Sequence, residues 1–171
     1  FQVEGPYAYR NPWHATTEEQ LLAFSLAELE RAIQYQGPST IAAFMAEPVQ
    51  GAGGVIVPPA GYWPGVRRIL DHYGILLISD EVVTGFGRIG SLCGARAWGV
   101  APDIMAMAKG INSGYVPLGA TLINQRVADA WKREHPLAAV MHGYTYSGHP
   151  LACAAANANL DIVVSEDLPA N

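Results

Sequence analysis

The sequence predicts an α/β fold, a mainly parallel sheet with helices on both faces. Apolar runs of strand length alternate with segments of helical periodicity along the 171 residues, which is the pattern of parallel strands joined by crossover helices. Three of these runs end at ionisable side chains, Glu47, Asp80 and Lys109. In such sheets ligands bind beyond the carboxyl ends of the strands, so one edge of the sheet is the predicted site.

The first third of the chain predicts a helix and a strand. Residues 17–20 open either a helix or an exposed turn, and the capping-box pattern of Ser25 and Glu28 starts a helix that runs to about Tyr35. A Gly-Pro pair ends this helix. Residues 41–49 form a compact apolar strand, and the glycines and prolines after it force an irregular connection.

A second helix and three more strands follow. Residues 61–73 place apolar side chains at helical spacing and leave Arg67, Arg68 and Asp71 toward water. The remaining predicted elements are strands at 75–82, 103–109 and 119–124, a helix at about 126–133, and a final helix with Pro150 in its first turn.

Lys109 is placed at the carboxyl end of the third apolar run, just before a glycine-rich stretch. Burial there strips water from the ammonium group and favours the neutral amine. A neutral amine is the form that attacks a carbonyl to make a Schiff base. The alternative is a surface lysine just past the end of a strand.

Two adjacent carboxylates, Asp80 and Glu81, close the run at 75–82. Successive strand side chains point to opposite faces, so these two acids occupy different environments. A buried aspartate needs a cationic or hydrogen-bonding partner, and a protonated pyridine nitrogen would supply one. Pyridoxal phosphate suits both Asp80, at its ring nitrogen, and Lys109, at its aldehyde carbon. The alternative for Asp80 is a turn cap at a strand end.

Five sequence blocks resemble the class III pyridoxal-phosphate-dependent aminotransferases, and within that class the omega-amino acid:pyruvate, or amine:pyruvate, group. The blocks are AEPVQG at 46–51, LISDEVVTGFGR at 77–88, PDIMAMAKG at 102–110, PLGA at 117–120 and HGYTYSGHP at 142–150. They stand in the family's order. Ser79, Ile89 and Asn112 depart from the family's usual residues, and these departures bear on substrate preference more than on reaction type.

The resemblance implies the large domain of the pyridoxal-phosphate-dependent transferase fold type I. Because family members are much longer, residues 1–171 correspond to the central portion of that cofactor-binding domain, and the small domain is not included. The implied cofactor is pyridoxal 5'-phosphate. The implied reaction moves an amino group from a primary amine or omega-amino acid to a keto acid, with pyruvate expected, through a lysine Schiff base. The alternatives are a 2,1-aminomutase of the same class and a noncatalytic fragment or assembly module.

The same resemblance gives roles to five residues. Lys109 is the catalytic residue, first as covalent anchor and then as base. Asp80 pairs with the ring nitrogen, and Val82 packs against the ring face unless it is an ordinary core valine. Thr145 reaches the phosphate of the cofactor in the neighbouring subunit, which implies a homodimer with its active site at the interface, or it stabilises a turn. Glu47 lies near the phenolic edge of the cofactor, or is solvated or paired with an arginine.

Three further polar side chains carry less specific signals. Arg88, in the glycine loop, either binds a carboxylate or orders its loop. His142 and His149 lie in a glycine-rich turn without a nearby carboxylate or cysteine, which favours a structural role over metal binding.

Composition excludes several function classes. The net charge of −5, from 10 basic and 15 acidic residues, disfavours nucleic acid as a partner. Cys93 and Cys153 lack the spacing of a zinc site or disulfide framework. The sequence predicts neither a membrane span nor a signal peptide, so the cytoplasm is the expected location.

Overall fold

The structure, a computed structural model, describes residues 1–134 and 140–171. Its centre is a four-stranded sheet in the order β1-β2-β3-β4. The strands are β1 (Ala43–Ala46), β2 (Leu76–Asp80), β3 (Ile104–Met107) and β4 (Ala120–Ile123). Strands β1, β2 and β3 are parallel, and β4 pairs antiparallel with β3. The predicted mainly parallel sheet is therefore confirmed, with one antiparallel strand at its edge.

Helices and short 3-10 turns connect these strands. The helices are α1 (Glu18–Gln36), α2 (Tyr62–Tyr73), α3 (Gly94–Ala97), α4 (Gln125–Glu134) and α5 (Pro150–Ser165). The 3-10 turns are Pro38–Thr40, Lys109–Ile111 and Leu168–Ala170. Helix α5 begins at the predicted proline, whereas the short helix α3 has no counterpart among the sequence predictions.

Helix α1 begins earlier than its capping-box pattern predicts. Thr17 is the N-cap, and its hydroxyl oxygen accepts the backbone N–H of Gln20 at 3.3 Å. Ser25 lies inside the helix, buried one turn from both Leu21 and Leu29. Its hydroxyl has no hydrogen-bond partner within the described residues. The prediction that Ser25 opens the helix is wrong because the residue shares the apolar face of the helix, where it packs instead of capping.

The hydrophobic core lies between α1, α2 and the first two strands. Leu29, Val66, Leu70 and Leu77 are almost completely buried there, and full burial of such a side chain contributes about 1.5–3 kcal/mol. Helices α1 and α2 approach closely at Gly65, where an added Cβ would lie 2.4 Å from a methyl carbon of Leu26. Only glycine fits this approach without a shift of the leucine.

A polar cluster fastens the amino end of β3. Asp103 accepts hydrogen bonds from Arg67 Nη1 at 2.9 Å, the N–H of Leu77 at 2.9 Å and Asn124 Nδ2 at 3.0 Å. Burial opposes ionisation of this carboxyl, but the hydrogen bonds from Leu77, Arg67 and Asn124 outweigh it and lower its pKa. The prediction that Arg67 faces water is wrong, because its guanidinium also binds Asp71 and is only 15% exposed.

Two further observations concern the cysteines and the apolar character of the helices. Cys93 and Cys153 are both free thiols. In the described part of the chain, no helix combines the length and apolar character needed to span a bilayer.

Candidate active site

The predicted lysine and aspartate lie on one edge of the sheet. Asp80 is the last residue of β2 and pairs with Ala106 of β3. Lys109 lies three positions after Ala106, just beyond the end of that neighbouring parallel strand at Met107. Because parallel strands end at the same edge of a sheet, the amine and the carboxylate share the edge where ligands of such folds bind.

A cavity of about 860 Å³ opens at this edge. Its volume lies within the range of small-molecule and cofactor sites, roughly 300–1,000 Å³. The loop after β2, the turn after β3 and the end of the chain supply its walls. The lining residues are Val82, Val83, Gly85, Phe86, Gly87, Arg88, Lys109, Gly110, Ser113, Gly114, Val163, Leu168 and Asn171.

Three residues that line this cavity have strained backbone. Phe86, Lys109 and Ser113 have φ values of 62°, 45° and 53°, in the left-handed region that non-glycine residues rarely adopt. All three line the cavity. Each such conformation costs on the order of 1–3 kcal/mol, persists only where the surroundings fix it, and is typical of functional sites.

Lys109 is exposed, contrary to the burial predicted for it. Strand β3 ends at Met107, and the chain turns at Lys109 into a 3-10 turn. The side chain therefore leaves the sheet instead of continuing its buried row. The exposed amine is accessible to a ligand in the cavity that Lys109 lines.

Asp80 adjoins the cavity through its bond to Val82. Asp80 Oδ1 accepts the backbone N–H of Val82 at 3.0 Å, and Val82 lines the cavity, although Asp80 itself does not. The turn-capping role considered for Asp80 is therefore present. Its second carboxylate oxygen has no hydrogen-bond partner among the described residues, so it can accept a proton donor from a ligand.

Glu81 points to the opposite side from the preceding aspartate, as the strand alternation predicts, and is completely buried. Its carboxylate accepts four hydrogen bonds. Oε1 accepts the backbone N–H of Ala95 at 2.8 Å and the hydroxyl of Ser79 at 3.2 Å. Oε2 accepts the backbone N–H of Gly94 at 2.7 Å and the hydroxyl of Thr84. Glu81 thus joins the end of β2 to the start of α3, and it fixes both ends of the cavity loop.

Sequence reasoning did not find this role of Glu81. The available signal was the polar pair Ser79 and Glu81, which alternates on one face of an otherwise apolar run. Gly94 completes the arrangement, because a Cβ there would lie 2.5 Å from Pro48 Cβ and 3.2 Å from Glu81 Oε1. The loop can reach the carboxylate only with glycine at this position.

Glu47 lies apart from the lysine cavity. It follows β1, and its Oε2 accepts the N–H of Gly51 at 2.8 Å. With Gln50 it lines a different cavity, of about 710 Å³. The structure thus brings Lys109 and Val82 together but leaves Glu47 beside another opening.

Thr145 lies in an exposed turn just before α5. Every residue from 140 to 151 is exposed, and Thr145 is not part of the lysine cavity. His142 contacts the ring of Tyr144 at a centroid distance of 5.4 Å. Over residues 1–134 and 140–171, no group of three metal-ligating side chains is present.

The described residues thus form an α/β domain with an exposed lysine in a cavity at the carboxyl edge of its parallel strands. The chain belongs to the class-III aminotransferase family, whose model matches residues 4–171.

Known relatives agree with this assignment. The chain is 60% identical to an amine transaminase from an uncultivated Pseudomonas species, solved in its PLP-bound form, with a TM-score of 0.94 over 98% of this chain and 38% of that one. It is 52% identical to an (S)-enantioselective omega-transaminase from Thermomicrobium roseum, with a TM-score of 0.92 over 98% of this chain and 37% of that one. It is 43% identical to the diaminobutyrate–2-oxoglutarate transaminase of Halomonas elongata over 99% of this chain and 37% of that protein. The chain therefore spans little more than a third of the length of these relatives.

Proposed function

We propose that this chain is the central part of the large cofactor-binding domain of a pyridoxal-phosphate-dependent aminotransferase. The enzyme would move an amino group from a primary amine or omega-amino acid to a keto acid, with pyruvate as acceptor. The observation that carries the proposal is the Lys109 amine in a cavity at the sheet edge where Asp80 ends the neighbouring strand. Membership of the class-III family supports the reaction class.

The described residues fit the proposed cofactor. Pyridoxal phosphate needs an amine for its aldehyde carbon, an acid for its ring nitrogen and an apolar surface for its ring. Lys109 supplies an accessible amine, and Asp80 has one carboxylate oxygen without a partner in the described part of the chain. Val82 places an apolar side chain on the wall of the cavity that Lys109 also lines.

Each of these residues has a distinct task in the proposed reaction. When bound, pyridoxal phosphate supplies an electron sink for negative charge at the substrate carbon. Lys109 holds the cofactor in the resting enzyme, and its free amine then moves a proton to or from the substrate carbon. Asp80 keeps the ring nitrogen protonated, and Val82 restrains the ring from one face.

We further propose that the enzyme is a homodimer and that Thr145 binds the phosphate held in the neighbouring subunit. The exposure of the segment 140–151 supports a contact surface there. Met141, Tyr144 and Tyr146 are 94%, 78% and 81% exposed, and large apolar and aromatic side chains are typical of the centres of protein interfaces. The role of Glu47 near the substrate and the cytoplasmic location remain predictions.

The proposal is tested on the full-length protein by adding pyridoxal phosphate, a primary amine and pyruvate, and measuring alanine. Wild type is expected to form alanine, and Lys109→Ala is expected to form none. Lys132→Ala, at the other lysine of this chain, is the matched control and should retain activity. An inactive wild type that binds the cofactor would contradict the proposed substrates, and an active Lys109→Ala variant would contradict the role of the lysine.

A second substrate pair has a specific observation in its favour. The Halomonas elongata relative is named for diaminobutyrate and 2-oxoglutarate. The same assay with 2-oxoglutarate in place of pyruvate, and with glutamate as the measured product, separates the two. A higher kcat/KM with 2-oxoglutarate than with pyruvate would favour this second pair.

A further inference from the structure

Helix α5 carries an amide that binds the turn containing the lysine. Asn159 Nδ2 donates to the carbonyl oxygens of Gly110 at 2.9 Å and Ile111 at 3.2 Å. Asn159 Oδ1 accepts the hydroxyl of Ser113 at 2.5 Å. An asparagine side chain has two N–H donors and one carbonyl acceptor, so all of its polar groups serve one turn that lies far away in sequence.

The turn that Asn159 binds is strained at both ends. Lys109 and Ser113 have φ values of 45° and 53°, and such conformations persist only where the surrounding structure fixes them. The three hydrogen bonds of Asn159 fall on Gly110, Ile111 and Ser113, within or directly beside this strained segment. No other side chain outside the segment 109–116 donates to or accepts from it in the described residues.

Phe86 packs against the same turn at Gly110. A Cβ at Gly110 would lie 3.0 Å from Phe86 Cβ and 3.1 Å from its Cδ2, so the backbone at Gly110 already touches this ring. Phe86 is itself fixed, because its N–H donates to the carbonyl of Leu92 at 2.7 Å. The lysine turn therefore has contacts both with the loop after β2 and with the amide of Asn159.

We propose that Asn159 is a positioning residue for Lys109. By holding the carbonyl groups directly after the lysine, it keeps the strained turn in the one conformation that presents the amine to the cavity. The catalytic consequence rests on the proposed aminotransferase function. The restraint on the turn does not depend on that function, because it follows from the hydrogen bonds alone.

Two variants and a matched control test this role in the full-length protein. Asn159→Ala removes all three hydrogen bonds. Asn159→Asp keeps the shape of the side chain and the acceptor for Ser113, but it turns a carboxylate oxygen toward the two carbonyl oxygens. This variant replaces Asn159→Ala in the measurements if the alanine variant does not fold. The control is Asn157→Ala, because Asn157 is exposed on the same helix and makes no side-chain hydrogen bond within the described residues.

The first measurement is amide hydrogen exchange of the cofactor-free protein. The N–H groups of Ile111 and Asn112 bond to the carbonyls of Ala108 and Lys109 at 3.1 and 3.4 Å, so they report directly on the turn. Loss of the Asn159 bonds should speed their exchange by roughly tenfold or more, since one net hydrogen bond already changes an opening equilibrium about fivefold. Equal exchange in Asn159→Ala and Asn157→Ala would overturn the proposal.

The second measurement is made with cofactor bound. A shift of the lysine amine by about 1 Å costs on the order of 100-fold in rate. Asn159→Ala should therefore lower kcat by about 10- to 100-fold, change KM for the amine much less, and move the pH midpoint of the cofactor's visible absorbance. Faster exchange with unchanged kcat and an unchanged midpoint would show that Asn159 is only structural, and would overturn the positioning role. A wild type that binds no cofactor would contradict the proposed function, and hydrogen exchange would still decide whether Asn159 restrains the turn.

Discussion

Replacing Glu81 with glutamine should destabilise the protein, although the two side chains have the same shape. The buried carboxylate accepts the N–H of Gly94 on Oε2 and the N–H of Ala95 on Oε1. Glutamine has only one acceptor oxygen, so in either orientation of the amide its NH₂ group faces one of these two backbone donors. The hydroxyls of Ser79 and Thr84 can rotate to become acceptors, but a backbone N–H cannot.

The magnitude follows from the donor that is left without a partner. A buried unsatisfied donor costs about 1–3 kcal/mol, and a hydrogen bond to a charged group contributes about 1.5–3 kcal/mol. Removing a buried charge relieves part of its desolvation cost. The expected net effect of Glu81→Gln is therefore a loss of about 2 kcal/mol in the free energy of unfolding.

Urea unfolding of the full-length protein measures this loss as a lower midpoint at unchanged slope. The control is Glu166→Gln, at an exposed glutamate just after α5, which should stay within about 0.5 kcal/mol of wild type. Equal midpoints for the two variants would refute the argument that the carboxylate of Glu81 fastens the cavity loop.

Two further predictions concern the ends of the sheet. Gly94→Ala places a Cβ 2.5 Å from Pro48 Cβ and should lower the free energy of unfolding by about 1–3 kcal/mol; a melting temperature equal to that of Gly119→Ala, at an exposed glycine where a Cβ would lie 3.7 Å from the carbonyl oxygen of Met107, would contradict this. The pKa of Asp103 is lowered in the folded state, so its contribution to stability is present above the ordinary pKa of an aspartate and is lost as pH falls through the lowered folded value. Asp103→Asn should therefore flatten the acid limb of a stability-against-pH curve, and an unchanged acid limb would count against the polar cluster.

The strands and helices were largely predictable because the residues that specify each element lie close together in the sequence. The apolar runs, the glycine stops and the proline at the start of α5 each fix an element within a few residues. The direction of β4 is not local. It depends on Asn124, whose backbone N–H and side-chain amide both bond to Asp103 at the start of β3, and this pairing places the end of β4 beside that start.

The errors share one physical cause, which is that burial depends on distant partners. Ser25 matches a capping pattern but lies on the buried face of α1. Arg67 has the sequence pattern of a surface residue, but it forms an ion pair with the distant Asp103. Lys109 was predicted to be buried because it follows an apolar run. The chain turns two residues after the end of β3, and this turn exposes the side chain.

The site was predictable in part for the same reason. Asp80 and Lys109 could be named as candidates because they stand at the ends of apolar runs, where parallel sheets bind ligands, and Val82 was named from the family resemblance. Glu81 gave only a partial signal, its alternation with Ser79, because two of its four hydrogen bonds come from residues 13 and 14 positions away. Asn159 gave none, because its hydrogen bonds join residues 46 to 49 positions away. No periodicity or short motif reports such contacts.

The central claim is that Lys109 holds the cofactor. The most direct measurement is borohydride reduction of the full-length protein loaded with pyridoxal phosphate, followed by proteolysis and mass spectrometry. A pyridoxyl group is expected on the peptide that contains Lys109, and no such modification is expected in Lys109→Ala. A pyridoxyl group on Lys132 or any other lysine, with Lys109 unmodified, would contradict it.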